Sequence, residues 1–497
     1  MGSKIIQAQL AAWFVLSCSA VGAFDFQDLR REAQSLAARP YQTETNRIPD
    51  SLARLSYVEY RAIQFNQRKA LWRDAGLPFQ LEYFHPGYSN RQTVSLHEIA
   101  GEEVRLIPFQ SSLFEYGTNR LDLPADLGFA GFRVVHPVKD FGEVAAFQGA
   151  SYFRLIGRGQ IYGTSARGLA LNTTSAEGEE FPLFKQFWIR RPEKSAKEIT
   201  VFALLDSASM TGAYQFIIRP GTTTVATVKA VLFPRREIKE VGLAPLTSMF
   251  LHGKNGRPAF TDFRPEVHDA DGLLIQNGRG EWIWHSLETG KMMRVNAFQD
   301  ENPRGFGLMQ RDRDFEHYQD VIAQFERRPS VWVRPLGKWG RGAVQLVQLP
   351  SNREFLDNVV VFWIPAARLQ PGTPVELEYE LHWSHLDPGL GSLGHVRATR
   401  VGRVIVEPAQ GVPNLRFVVD FDGNAVESLS AKQKLSVKIE YGEDVTLVAD
   451  SLFKNTTNGT WRLVIEIADP RKAVDLRAFL MRGGEPITET WTFTWQP

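Results

Sequence analysis

At 497 residues the chain has room for about two to four domains and a large core, which excludes a small stapled module. Hydrophobic residues at 43% and charged residues at 23% exclude disorder, collagen and coiled coil. Lys and Arg number 57 against 56 Asp and Glu, a formal charge of +1, so no polyanion-binding surface arises from the overall balance; nucleic acid drops out as a partner and a neutral ligand is expected. The single cysteine, Cys18, excludes a disulfide framework or a thiolate metal cluster.

In chain order, Lys4 precedes an apolar run from Ile5 to Leu16 and small residues ending Val21-Gly22-Ala23. This pattern predicts a Sec-type signal peptide over 1–23, cleaved after Ala23, and export to the periplasm. The run is short for a bilayer span, no stop-transfer pattern follows, and no later segment approaches eighteen uncharged apolar residues, so no stable membrane insertion is expected. The spacing predicts helices over Asp25 to Ala38, with Phe26, Leu29, Ala33 and Leu36 on one face, and over Pro49 to Phe65. From Leu81 onward, short runs rich in Val, Ile, Phe, Tyr and Thr, such as Thr200 to Leu205, Tyr214 to Ile218, Thr223 to Phe233 and Gly342 to Gln348, predict a large antiparallel β structure. One helix-like patch, Arg313 to Phe325, interrupts it. After a glycine-rich stretch, seven further strand-like runs between Gly402 and Trp495 predict a small immunoglobulin-like sandwich. The organisation read here is all-β: a large sandwich over 24–385, a linker or loop over 386–396, and a small sandwich over 397–497.

Several motifs lack the context their chemistry needs. Gly389-Leu-Gly-Ser-Leu-Gly394 spells GxGxxG, yet a loop and then a strand follow it instead of a helix, so no nucleotide cofactor is expected. Asp269-Ala-Asp271-Gly272 opens like a calcium loop, but the later ligand positions are out of register and no metal is assigned. There is no GxSxG elbow. Two segments carry more. Phe263 to Gly272 packs Arg264, Glu266, His268, Asp269 and Asp271 into a short stretch, a density from which coupled ionisations can arise, although a solvated turn with internal ion pairs is the plainer reading of the composition. Glu354-Phe-Leu-Asp357-Asn358 opens a strongly apolar strand, where a half-buried acid would have the raised pKa a general acid needs; a strand-starting Asp-Asn turn is the plainer reading.

Taken with Phe181 to Trp188, Leu205 to Tyr214, Asn302 to Phe315, Arg327-Arg-Pro-Ser330, Phe362-Trp363 and Glu489-Thr-Trp491, these segments resemble the osmoregulated periplasmic glucan biosynthesis proteins G and D. The resemblance spans the whole mature chain, and the lack of a twin-arginine pair favours the G branch. It implies a galactose-mutarotase-like β-sandwich followed by an immunoglobulin-like domain, agreeing with the strand reading. It also implies action on a glucan with a β-1,2-linked glucose backbone, by anomer-inverting endo-hydrolysis or related glycosyl transfer. Carried over by position, Asp357 is the general acid, and Asp269 is the base that receives the proton of the nucleophilic water through a relay. Inversion needs an acid and a base on opposite faces of the sugar bond, commonly about 6.5 to 9.5 Å apart, and a relay permits a wider gap. Glu354 and Arg328 match polar positions lining the site and tuning the acid; Arg264, Glu266 and His268 join the substrate-binding set.

Phe325 departs from the resemblance, standing where tyrosine is common; the missing hydroxyl removes one hydrogen-bonding group near the sugar. Two functions therefore stay open: a glucan-cleaving or glucan-transferring enzyme, and a periplasmic binding or assembly factor that does not cleave. The His382 to Arg400 segment reads either as an interdomain linker or as a lid crossing to a second subunit in a homodimer.

Overall fold

The computed structural model describes residues 23–43, 48–138, 141–256, 261–404 and 413–497. The expected signal peptide lies, apart from Ala23, outside the described residues. Among those described, no helix is long and apolar enough to cross a membrane.

The protein is an all-β sandwich. A ten-stranded sheet runs in spatial order from Gln80–Phe84 through Gly131–His136, Gly142–Gln148, Tyr152–Leu155, Ser165–Arg167, Val241–Ser248, Val359–Pro365 and Arg341–Gln348 to Arg294–Glu301, with Leu169–Leu171 paired to Val241–Ser248. A fifteen-stranded sheet packs against it. Strict alternation produces this packing: in Thr224–Pro234 the side chains of Ala226, Val228, Ala230 and Leu232 enter the shared core. Aromatic rings fill the gap between the layers, with Phe132 against Phe187 at 5.1 Å and Phe153 against Phe216 at 5.0 Å.

The opposite face of the same strands is also covered. Helix Phe26–Ala37 lays Phe26, Leu29 and Ala33 over Trp188, Phe202, Ala213, Val231 and Phe233. Its first turn is closed by a capping box: the Asp25 carboxylate accepts from the Gln27 and Asp28 amides, and the Asp28 carboxylate accepts from the Asp25 amide. The second expected helix is two short ones, Asp50–Ala53 and Tyr57–Arg61, because Ser56 caps the second and so breaks the first. The patch at Arg313 to Phe325 holds only one helical turn, Phe315–Tyr318, and a 3₁₀ turn, Phe325–Arg327. Its Asp and Arg side chains are used in loop hydrogen bonds instead.

Six of the seven expected C-terminal runs are strands; of the first, Gly402 to Glu407, only Gly402 and Arg403 are strand, at the end of His395–Arg403, and 405–407 lie outside the described residues. Four strands, His395–Arg403, Leu415–Asp422, Trp461–Ile467 and Leu447–Lys454, form their own sheet. The other three, Ser436–Tyr441, Val474–Arg482 and Thr490–Trp495, continue the fifteen-stranded sheet. The join is a parallel pairing of Ile283, Trp284 and His285 with Thr490, Trp491 and Thr492. Trp282, Trp284, Met309 and Trp332 from the larger part and Phe417, Trp461, Leu463 and Trp491 from the smaller share one core.

Leu29 is fully buried in the helix–sheet contact. Leu29→Ala should lower the unfolding free energy by about 2–5 kcal/mol, read as a shift in the urea midpoint with unchanged slope; a loss under about 0.5 kcal/mol, typical of surface sites, would mean that the helix does not cover the sheet.

Candidate functional site

Asn358 sets the position of the acid expected at 357. Its side-chain oxygen accepts from the Phe250 amide at 2.9 Å, and its side-chain nitrogen donates to the carbonyls of Phe250 (2.9 Å) and Leu349 (3.0 Å). Its own amide donates to Ser248. With every polar atom used, the buried Asn358 staples the 349–358 loop to the strand behind it. Asp357, one residue earlier, is thereby held at the wall of a cleft of about 470 Å³.

Three neighbouring strands build the other wall by alternation. Phe132, Phe147 and Phe153 stand opposite one another and face the core, their rings stacked at 5.0 and 5.5 Å. The next row, Arg133, Ala146 and Arg154, faces the cleft. Glu143, Gln148, Tyr152 and Tyr162 also line it. Arg133 is paired to Glu82 (2.5 Å) and Glu143 (3.2 Å), and with Arg154 beside it the wall sets two guanidinium groups against two carboxylates, rich in hydrogen-bonding groups with its charges balanced. The sequence reading did not single out these residues, although the alternation of Phe with Arg along Gly131–His136 and Tyr152–Leu155 carried the signal.

The Asp357 side chain is 28% exposed and lies 4.0 Å from Arg154. Burial pushes its pKa up. Arg154 opposes the shift, Asp269 adds to it, and Arg167 and Arg328 oppose it more weakly; the net direction is upward. The two expected acids thus share one electrostatic neighbourhood. Asp269 is 5% exposed, its amide donates to Met249, and its carboxylate is ion-paired with Arg328. The Arg328 guanidinium lies 4.2 Å over the Phe325 ring, and its Nε donates to the Ala323 carbonyl. Gly163 permits this arrangement, since a Cβ there would stand 2.8 Å from that of Arg328. Phe325, 1% exposed, therefore supports Arg328 from below and presents no open face to a ligand.

The remaining expected residues divide in two. Arg264 binds Asp262, Asp320 and Glu354 at once, at 2.8, 2.9 and 2.6 Å. It welds three loops together, and Glu354 is exposed at the end of that weld. Glu266 and His268 point inward. His268 is fully buried, with Nε2 on the Glu266 carboxylate and Nδ1 on the Gln310 side-chain oxygen. Both ring nitrogens are thus taken up by polar side chains. Burial alone would raise the Glu266 pKa, but His268 and Lys254 overcome it and hold the group at about 2. Glu266, Asp312 and His317 bring ligand atoms within 4.8 Å of one another, yet the Lys254 ammonium already pairs with Glu266 and Asp312. The 386–396 segment is docked on its own chain: Asp387 is bound by Arg311 at 2.7 Å, and the Gly394 amide donates to Ile487.

Comparison with known proteins places the chain in one family. The family profile described as "Periplasmic glucan biosynthesis protein, MdoG" matches residues 24–495. "Glucans biosynthesis protein G" of Ralstonia nicotianae is 44% identical over 97% of this chain and 98% of its own length. Proteins of the same name from Sodalis glossinidius and Rhodopseudomonas palustris are 41% and 42% identical, each over 95% of this chain and 93% of their own length.

A carboxyl whose pKa rises on folding binds its proton more tightly in the native state. Asp357 thus costs no stability below the unfolded value near 3.8, costs more as pH rises through the folded pKa, and costs most above it. Asp357→Asn should therefore raise the thermal midpoint at pH 7, with the gain vanishing as pH falls below about 4. An unchanged or lower midpoint at pH 7 would show that the arginines outweigh burial.

Proposed function

The chain belongs to the periplasmic glucan biosynthesis protein family, and on that premise we propose that it acts on the β-1,2-linked backbone of a periplasmic glucan as an anomer-inverting endo-glycoside hydrolase or related glycosyl-transferring enzyme. Its part in periplasmic glucan biosynthesis follows from the family; the chemistry is our reading. The observation that carries it is Asp357, a carboxyl held by the Asn358 staple at the cleft wall with its pKa raised by burial.

In this reading, protonated Asp357 gives its proton to the glycosidic oxygen as the bond to the anomeric carbon breaks. Water attacks the opposite face and loses its proton, through a relay of water and sugar hydroxyl, to the Asp269 carboxylate. Arg328 holds Asp269 in place, and Phe325 sets the height of Arg328. The charges of Arg133, Arg154, Glu82 and Glu143 cancel on this wall, which suits a neutral polyhydroxylated chain.

A second reading, a factor that binds the glucan without cutting it, is favoured by one observation: Asp269 is buried and ion-paired, and is not among the residues lining the cleft. Calorimetry showing glucan binding, with no product after prolonged incubation, would select it.

The enzymatic reading predicts reducing-end release from linear β-1,2-glucan, lowered about 10²- to 10⁴-fold by Asp357→Asn with glucan affinity nearly unchanged. Because the acid must carry its proton, the rate should fall on the alkaline side as pH rises through the elevated Asp357 pKa. Equal rates for wild type and Asp357→Asn would remove Asp357 from the mechanism.

A further inference from the structure

A second groove opens at the opposite end of the ten-stranded sheet from the strands that wall the cleft. Strand Arg294–Glu301 ends that sheet, paired on one side only, to Arg341–Gln348. Together with the C-terminal extension of the fifteen-stranded sheet it bounds a cavity of about 520 Å³, which shares no lining residue with the cleft. The strand registers set a polar row across the floor: Glu440 stands opposite Arg477, Arg477 opposite Thr492, and Thr492 opposite His285. Asp475 and Thr494 form the next row on the same face.

Hydrogen-bond directions in this groove can be read off. Thr492 donates to the Trp284 carbonyl at 3.1 Å, so its oxygen accepts from His285 Nδ1 at 3.0 Å, and His285 Nε2 is left as an acceptor. Burial lowers the His285 pKa to about 3, with Arg294 adding to the effect, which keeps the ring neutral. Thr494 donates to Asp475 at 2.5 Å and accepts from the Asn296 side-chain nitrogen at 2.8 Å. The Asn296 side-chain oxygen is buried and, among the described residues, has no partner. The cation of the row, Arg477, is engaged by Glu281 and Glu440. What remains on offer is therefore mostly acceptors: Asn296 Oδ1, His285 Nε2 and the carboxylates of Asp475 and Glu440. Apolar surface from Ile283 and Phe298 lies beside them, and Tyr441, 43% exposed, stands at the rim.

A ligand suited to this lining brings hydroxyl donors together with a ring face for the aromatics, which is the chemistry of a neutral saccharide. We propose that this groove is a second saccharide-binding site, holding a segment of glucan outside the cleft. The proposal rests on the glucan reading of the family but not on any chemistry at Asp357. A linear polyamine also brings donors but has no ring face, and it serves as the competing ligand in the test.

The experiment is hydrogen–deuterium exchange on the mature Asp357→Asn protein with a long linear β-1,2-glucan. Slowed exchange in peptides covering 294–298 and 474–477 is expected. Tyr441→Ala, a change at an exposed site, should abolish that protection while leaving any in the cleft strands, and should weaken binding of the long glucan by roughly three- to tenfold; Asn296→Ala serves as a second variant with the same expectation. Protection confined to the cleft peptides would overturn the second site and leave the first intact. Protection of the groove alone would uphold the second site and sink the cleft reading. Stronger groove protection by spermidine than by glucan would overturn the saccharide assignment.

Discussion

One guanidinium ties the two parts of this protein together. Arg311, on the strand-to-loop turn after Gly305–Met309, donates to Asp387 in the 386–396 segment, to both oxygens of Glu489 before the last strand, and to the Val396 carbonyl. Its plane lies 3.8 Å over the Trp284 ring, and its backbone amide donates to Asp271. The Glu489 side chain is fully buried and also accepts from the Val396 amide. Removing one partner from so enclosed a pair leaves an uncompensated charge, which costs about 3–5 kcal/mol. That cost explains why the smaller sandwich is fixed against the larger: the sheet they share by parallel pairing and the mixed core of tryptophans both need the chain returning at 395 and 489 to meet the same point.

The same weighing of burial against charge governs the cleft. Three arginines lie within electrostatic reach of Asp357, and on a simple count they should depress its pKa. They do not, because the geometry spends them elsewhere. Arg167 donates to Thr247 and is paired to Glu179 at 2.6 Å, Arg328 is paired to Asp269, and Arg154 gives its Nε to Ser165 at 2.6 Å and reaches Asp357 only at 4.0 Å. With its opposing charges partly neutralised by others, the carboxyl is left with the desolvation imposed by the Asn358 staple. The upward direction of the Asp357 pKa is then a consequence of how the ion pairs are shared out.

Much of the fold was legible because it rests on local rules. Alternation located the strands on either side of the large core, and six of the seven C-terminal runs fell where spacing put them. What escaped was non-local. A parallel pairing between residues near 284 and residues near 491 leaves no mark in either segment, so the continuity of the long sheet through both sandwiches was invisible. The helix expected over Arg313 to Phe325 failed for a related reason. Its periodicity is adequate, but its Asp and Arg side chains bind loop backbone: Asp320 accepts from the Ile322 and Ala323 amides, and Arg313 donates to the Glu326 and Arg328 carbonyls.

The candidate site shows the same limit at finer scale. The segment from Arg264 to Asp271 read as one ionisable cluster, either catalytic or a solvated turn, yet the fold sends its members in four directions. Arg264 binds Asp262, Asp320 and Glu354; Glu266 and His268 turn inward to Lys254 and Gln310; Asp269 meets Arg328; Asp271 receives the amides of Arg311 and Asp312. Within the two-residue strand Val267–His268, pleating alone sends neighbours to opposite sides, and beyond it Asp269 finds a guanidinium while Asp271 finds backbone amides. Composition could announce the density of charge but not its partition. Of these residues Asp269, paired with Arg328, lies within electrostatic reach of Asp357, while the others brace the surrounding loops.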